Sequence, residues 1–171
     1  MIYTIRYWPD PFLRKVAAPV TDLTTANDIC QSLFETMYKD KGIGLAATQC
    51  GVDLRIFVMD TKMNGEGIAQ GFINPEIVEK EGNLAFPEGC LSFPNVFVQV
   101  PRSAKVKVRH TLLTGETEEV MLEGISAVCA QHEIDHLNGI VFTSYLGEVK
   151  RMIAERKIAK EIKKARKRKK A

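Results

Sequence analysis

The chain has 171 residues, of which 45% are hydrophobic and 26% are charged, a balance typical of a globular protein with one buried core. It contains no apolar run long enough to span a bilayer and no signal-peptide pattern, so we expect a cytoplasmic protein without membrane contact. Residues 150–171 carry 12 of the 24 basic side chains but only two of the 21 acidic ones. The sequence therefore predicts a mildly acidic domain that ends in a strongly basic segment.

The first half of the chain is predicted to contain one helix and two short strands. Apolar side chains recur at steps of three and four residues from about 25 to 38, which indicates an amphipathic helix ending near Gly42. Residues 55–60 and 71–74 are apolar runs typical of buried strands. The glycines between 64 and 67 predict a turn that separates those strands.

The second half is predicted to contain a hairpin and two helices. Charged and apolar residues alternate from 105 to 109, which indicates a half-buried strand, and a turn at Thr114-Gly115 leads to a partner strand at 119–123. A helix is predicted from about 125 to 137, and a last helix begins after Gly147. The apolar stripe of that last helix consists of Ala154, Ile158, Ile162 and Ala165.

The first of these two helices contains the pattern His-Glu-x-x-His. His132 and His136 are four residues apart and therefore lie on the same face of the helix, where both imidazoles can bind one metal ion. Glu133 follows the first histidine directly, a position from which a carboxylate can reach water on the metal without being a ligand. The pattern indicates a metal-dependent hydrolase.

A catalytic site of this kind usually has three protein ligands, so a third one is expected. No histidine follows the motif, and the acidic residues downstream belong to the basic last helix. Among the four cysteines, Cys30 and Cys129 fall within helical patterns and are interpreted as small core residues. Cys90 lies between Gly89 and a short turn, where a thiolate can be presented to a metal. Cys50, next to Gln49, is the alternative.

Three stretches together resemble the three motifs of the peptide deformylase family, in order and in spacing. They are residues 42–49 (GIGLAATQ), 88–92 (EGCLS) and 131–136 (QHEIDH). The similarity extends from Asp10-Pro11 through the last helix. It implies an α+β fold, with short and mostly antiparallel sheets around the motif helix and a basic helix outside. The corresponding division is a catalytic part at 1–147 and a helical extension of the same domain at 148–171.

The resemblance also implies a reaction, namely hydrolytic removal of the N-formyl group from the initiator methionine of new polypeptides, with release of formate. Cys90 and the two histidines would bind the metal. Metal-bound water would attack the formyl carbon, with Glu133 as general base and then general acid. The side-chain amide of Gln49 and the backbone N–H of Leu91 would stabilise the oxyanion. The family implies Fe²⁺, one per chain, with Ni²⁺, Co²⁺ or Zn²⁺ as substitutes.

A methionine pocket is expected beside the metal. Ile125, Val128 and Cys129 form an apolar stripe that reaches His132 at helical spacing. The resemblance places the first side chain of the substrate against this stripe. The remaining predicted contacts are Ile43, Phe86 and Leu91 in the walls, with Gly44 and Gly89 leaving room for the peptide backbone.

Several expectations concern the outer parts of the molecule. Many relatives in that family have an arginine where this chain has Phe97, so an apolar contact with the downstream part of the substrate would replace an ionic one. Glu88 and Arg102 would form a pair that braces the Cys90 segment. The basic helix suits a polyanion, and in similar deformylases it docks on the ribosome near the exit tunnel. We expect a monomer.

Two other functions compete with deformylation. One is an aminopeptidase or endopeptidase built on the same helix, which the upstream cysteine and the Gln49 motif disfavour. The other is a metal-stabilised module that binds RNA or ribosomes without catalysis. That alternative explains the basic tail, but it gives Glu133 and Gln49 no role.

Overall fold

The computed structural model describes residues 1–62 and 67–168, and these ranges contain three α-helices and seven β-strands. The helices are α1 (Ala26–Lys39), α2 (Gly124–Leu137) and α3 (Glu148–Arg168). The strands are β1 (Gly44–Ala46), β2 (Ile56–Asp60), β3 (Ala69–Glu81), β4 (Leu84–Cys90), β5 (Phe93–Arg102), β6 (Lys105–Thr111) and β7 (Thr117–Glu123). A short 3-10 helix, Ala47–Cys50, follows β1.

Five strands form an antiparallel sheet in the order β1-β2-β3-β6-β7. Successive side chains of a strand point to opposite faces, so β6 buries Val106 and Val108 while Arg109 faces solvent. The predicted hairpin at Thr114-Gly115 is the β6–β7 pair, in which Val108 lies opposite Val120. The sheet thus has one apolar face that another element must cover.

Helix α2 covers that face and forms the centre of the molecule. Nearly all of its residues from 126 to 137 are buried, and Ile134 and Leu137 belong to one apolar cluster with Phe57 and Phe72 of the sheet. A helix that is buried on all sides is usually apolar throughout. Because α2 is buried in this way, the polar residues of its motif also lie inside the protein.

The hairpin β4–β5 forms a separate two-stranded sheet, which no pattern in the sequence predicted. Prolines at 87, 94 and 101 argue against central strands, but a two-stranded sheet has only edge strands and tolerates them. The turn lies at residues 91–92, so Cys90 pairs with Phe93. Phe93 packs in a second cluster with Phe142 and with Ile158 of α3, and this cluster fixes the hairpin beside α2.

The predicted α+β fold, with the motif helix at its centre and a basic C-terminal helix, is confirmed. The ranges of α1 and α2 differ from the predicted ones by no more than one residue at either end, and α3 begins directly after Gly147 as predicted. In α3, Ile158 and Ile162 are buried and Ala154 packs against the same cluster. The side chain of Ala165 and most of the turn at 64–67 lie outside the described residues. The division at residue 147 stays a prediction.

Within the described ranges, none of the helices combines the length and the apolar character needed to cross a bilayer.

Candidate functional site

The three predicted metal ligands converge at one point. The Sγ atom of Cys90 lies 3.2 Å from Nε2 of His136, and this Nε2 lies 3.2 Å from Nε2 of His132. All three ligand atoms lie within 4.8 Å of one another, and this is the one such cluster in residues 1–62 and 67–168. A single ion with bonds of about 2.0–2.3 Å can bridge these separations. The donor set therefore fits one transition-metal ion.

Two elements bring the cluster together. His132 and His136 occupy successive turns of α2, and Cys90 is the last residue of β4. Cys50 takes no part in the cluster, and burial raises the pKa of its thiol to about 12. The sequence-based preference for Cys90 over Cys50 thus agrees with the geometry.

Glu88 orients the first histidine. Its Oε2 atom lies 2.7 Å from Nδ1 of His132, which leaves Nε2 of that ring facing the other two ligand atoms. Burial tends to raise the pKa of Glu88, but hydrogen bonds from Arg102 and His132 outweigh it and hold the pKa below its ordinary value. Glu88 is therefore an anionic partner for the histidine ring.

Arg102 connects this carboxylate to a second one. It donates to both oxygens of Glu88, from Nε at 2.6 Å and from Nη2 at 2.9 Å, and its Nη1 donates to Oδ2 of Asp135 at 2.6 Å. The hydroxyl of Tyr145 donates to the same Asp135 oxygen at 2.8 Å. The Glu88–Arg102 pair expected from the sequence is present and buried. It acts on His132 directly, whereas the sequence suggested only support for the Cys90 segment.

Glu133 is buried in α2 and lines a cavity in front of the three ligand atoms. Its Oε2 atom has no hydrogen-bond partner among the described residues. Burial raises the pKa of this carboxyl group to about 7. A group with such a pKa can both accept and release a proton near neutral pH.

Gln49 is held with its amide group toward the same point. Its Oε1 atom accepts from the backbone N–H of Ala46 at 2.9 Å, so its Nε2 is the donor on the other side. That Nε2 lies 3.1 Å from Oγ of Ser92 and 3.5 Å from Sγ of Cys90. Gln49 lies in the 3-10 helix after β1.

A cavity of about 590 Å³ opens in front of the cluster, and we call it the site cavity. Every predicted substrate contact lines it, namely Ile43, Gly44, Phe86, Gly89, Leu91, Ile125, Val128 and Cys129. The sequence missed several lining residues, because distant segments bring them to the cavity and no local pattern marks them. These include Ile5, Tyr7, Asp40, Lys41, Pro87, Phe93, Pro94, Asn95 and Val96.

The two glycines predicted to give room for a substrate differ in their surroundings. A Cβ on Gly44 would lie 2.5 Å from Oε1 of Glu133 and 2.6 Å from Sγ of Cys129. A Cβ on Gly89 would lie 2.9 Å from the ring of Phe97, which is 73% exposed. Gly44 therefore lies against the carboxylate, and Gly89 lies under an exposed aromatic ring at the edge of the cavity.

Comparison with known proteins gives one consistent result. The sequence profile of the polypeptide deformylase family matches residues 2–152. A peptide deformylase from Afipia carboxidovorans is 46% identical over 162 residues, which cover 93% of this chain and 95% of the relative. The crystal structure of a peptide deformylase from Legionella pneumophila superposes with a TM-score of 0.89 at 42% identity, covering 98% of this chain and 99% of that one.

A further solved structure carries a bound peptide. It is the Met-Ala-Ser-bound class I type b peptide deformylase from Acinetobacter baumannii, with a TM-score of 0.80 at 31% identity. The match covers 85% of this chain and 99% of that one.

Proposed function

The chain belongs to the peptide deformylase family, whose members remove the N-formyl group from nascent peptides, and on this premise we propose a mechanism for its own residues. The observation that carries the proposal is that Glu133 lines the same cavity as Cys90 and His132, two of the three converging metal ligands. This buried carboxylate has one oxygen that meets no hydrogen-bond partner in the described part of the chain. The family assignment disfavours an aminopeptidase or endopeptidase. A binding module without catalysis would give this carboxylate no role.

Cys90, His132 and His136 would hold the metal ion of this enzyme, and we propose Fe²⁺ in the cell. Ni²⁺, Co²⁺ and Zn²⁺ suit the same donors. Bound there, the ion would supply Lewis-acid chemistry, lowering the pKa of water and polarising the formyl oxygen. Glu88 keeps His132 in the tautomer that leaves its Nε2 available as a ligand.

Glu133 moves the proton in the proposed reaction. Its carboxylate accepts the proton of the attacking water, and it delivers this proton to the amine nitrogen as the carbon–nitrogen bond of the formamide breaks. The pKa of about 7 suits both steps. A positioned base of this kind contributes about 10²–10⁴-fold to the rate.

Two donors stabilise the oxyanion that forms at the formyl carbon. Nε2 of Gln49 is held in place because Oε1 of the same amide is fixed by Ala46. The backbone N–H of Leu91 is the second proposed donor, since Leu91 follows Cys90 directly and lines the site cavity. The loss of one such donor commonly lowers the rate by about 10²–10³-fold.

The site cavity would bind the methionine of the substrate in an extended peptide. Ile43, Ile125, Val128 and Cys129 provide apolar contacts for the thioether side chain. The Acinetobacter relative has Met-Ala-Ser bound. This supports a peptide that begins with methionine as the ligand here. Gly44 and Gly89 line the same cavity, and because they carry no side chain they would let the peptide backbone approach closely.

We also propose that α3 docks this enzyme on the ribosome, where formylated chains emerge in the cytoplasm, and that the enzyme acts as a monomer. Lys157, Lys160 and Lys163 are exposed on the described part of this helix. Five further basic residues follow Lys164 in the sequence. This density of positive charge suits the phosphate backbone of ribosomal RNA.

The test of docking is a chain that ends at Lys164 and therefore lacks those five basic residues. It should cleave small peptides normally and bind ribosomes more weakly than the full chain does. Binding of the full chain should fall steeply as salt rises, because phosphate contacts release counterions. Equal ribosome binding by both chains in cosedimentation would refute docking.

The test of the proposed reaction is formate release from a formyl-Met tripeptide. The protein is purified without oxygen and loaded separately with iron, nickel or zinc. We expect strong activity with iron or nickel. Absence of formate with every metal, at one bound ion per chain, would refute the proposal.

A further inference from the structure

A second groove lies between strand β5 and helix α3, on the outside of the hairpin that carries Cys90. Its floor is formed by four consecutive residues of β5, 96–99, and its other wall by Leu146 and the first half of α3. The volume is about 350 Å³. We call it the β5–α3 groove.

The β5–α3 groove begins where the site cavity ends. Val96 and Phe97 line both spaces, so these two residues form a shared rim. A peptide whose formylated N-terminus lies at the three metal ligands can leave the site cavity across this rim. An extended chain advances about 3.3 Å per residue, so residues beyond the first few of a substrate can reach the groove.

The surface of the groove combines apolar side chains with two lysines. Phe97 is 73% exposed and Ile153 is 60% exposed, and both line the groove, so their exposed apolar surface is gathered in one place, as at sites that bind a partner. Lys150 and Lys157 line the same groove. Neither lysine forms an ion pair with a residue in the ranges 1–62 and 67–168 that the structure describes. The groove therefore offers an apolar contact between two positive charges.

We propose that the β5–α3 groove binds the downstream part of the substrate peptide and favours an apolar side chain with acidic neighbours. This inference rests on the proposed function, because it takes the site cavity as the place of the formyl-Met end. The continuity of the two spaces selects the substrate as the occupant. The two lysines select the charge of its side chains by complementarity.

The test compares formyl-Met peptides that share their first three residues. One peptide ends there, and two others continue to roughly eight residues, about 26 Å when extended, with leucine flanked either by glutamates or by lysines. Formate release is measured at low salt. For the natural chain we expect kcat/KM for the acidic peptide to exceed that for the basic one by roughly five- to tenfold, the effect of two exposed ion pairs. The difference should lie in KM, because the contacts are distant from the reacting bond.

Variants locate this preference. The double substitution of Lys150→Glu and Lys157→Glu should reverse the order of the acidic and basic peptides. Its control, Lys160→Glu with Lys163→Glu, changes the net charge equally on residues that do not line the groove and should keep the order. Ile153→Asp should lower kcat/KM for the acidic long peptide and leave the tripeptide unchanged. Its control is Val149→Asp, on an equally exposed residue outside the groove.

Three results would overturn the inference. One is equal kcat/KM for the two long peptides with the natural chain, and another is an equal effect of the control pair of lysine substitutions. The third is a dimer in sedimentation that Ile153→Asp dissociates, which would assign the groove to a second copy of the chain. Absence of formate from the tripeptide would instead refute the proposed function, and the inference with it.

Discussion

At the scale of single residues, the position of Glu133 depends on the absence of a side chain at Gly44. Strand β1 passes so close to α2 that a Cβ on Gly44 would meet both the carboxylate and the thiol of Cys129. Gly44 itself pairs with Met59 in the sheet, so the backbone at this point has little freedom to withdraw. The carboxylate and the thiol are therefore the groups that must move if a methyl is added.

Gly44→Ala should therefore lower activity without removing the metal. A displacement of about 1 Å at a catalytic group can cost about 10²-fold in rate, and we expect a loss of that order in kcat/KM with one metal ion per chain retained. Gly147→Ala is the matched control, because a Cβ there meets no atom within 4 Å. Normal activity of Gly44→Ala, measured as formate release, would show that the carboxylate is not so constrained.

Arg102 is the residue whose loss should be felt most in stability. Its removal leaves the buried Glu88 and the partly buried Asp135 without their shared cation. Arg102→Leu is expected to lower the free energy of unfolding by about 3–5 kcal/mol, as for other broken buried pairs. Urea denaturation measures this value.

The control for that substitution is Arg109→Leu. Arg109 pairs with Glu119 at 2.8 Å, but both side chains are more than 40% exposed. Its loss should cost less than about 1 kcal/mol. Similar values for the two variants would contradict the role assigned to the buried pair.

Residue identity and spacing predicted the candidate metal ligands. The two histidines four apart predicted their own convergence, and Cys90 beside Gly89 was preferred as the third ligand, with Cys50 as the alternative. The links of Asp135 and Tyr145 to Arg102 could not be predicted. They depend on the path of the chain after α2, which no local pattern encodes.

At the scale of elements, periodicity predicted the helices and the β6–β7 hairpin well, since each has a clear apolar face. The β4–β5 hairpin was missed because its prolines and glycine hid the alternation of buried residues in β5. This is the element that carries Cys90, so the site was predicted from its motif and not from its secondary structure.

Helix α3 contributes to the core as well as to the charge of the molecule. A chain that ends at Lys150 loses Ile158 and Ile162, which are buried against β5 and Phe142. Burial of each contributes about 1.5–3 kcal/mol, so we expect a clearly lower Tm in calorimetry. The chain that ends at Lys164 keeps both isoleucines and should melt close to the full chain. Equal Tm values for all three chains would show that α3 does not support the hairpin.

At the scale of the whole molecule, three separate stretches meet at one point. Residues 42–49 supply Gln49, β4 supplies Cys90, and α2 supplies the histidines and Glu133. Their order along the chain did not determine this meeting, and for Gln49 only the resemblance to a family predicted it. The β5–α3 groove was not predicted from the sequence, because it forms between two elements that are far apart in the chain.

The proposed role of Glu133 is tested most directly by the activity and the metal content of Glu133→Ala. We propose that this carboxylate transfers protons and does not bind the metal. We therefore predict one metal ion per chain, as in the natural enzyme, and formate release lowered by about 10²–10⁴-fold. Activity close to that of the natural enzyme, with the metal in place, would contradict a role of Glu133 in proton transfer.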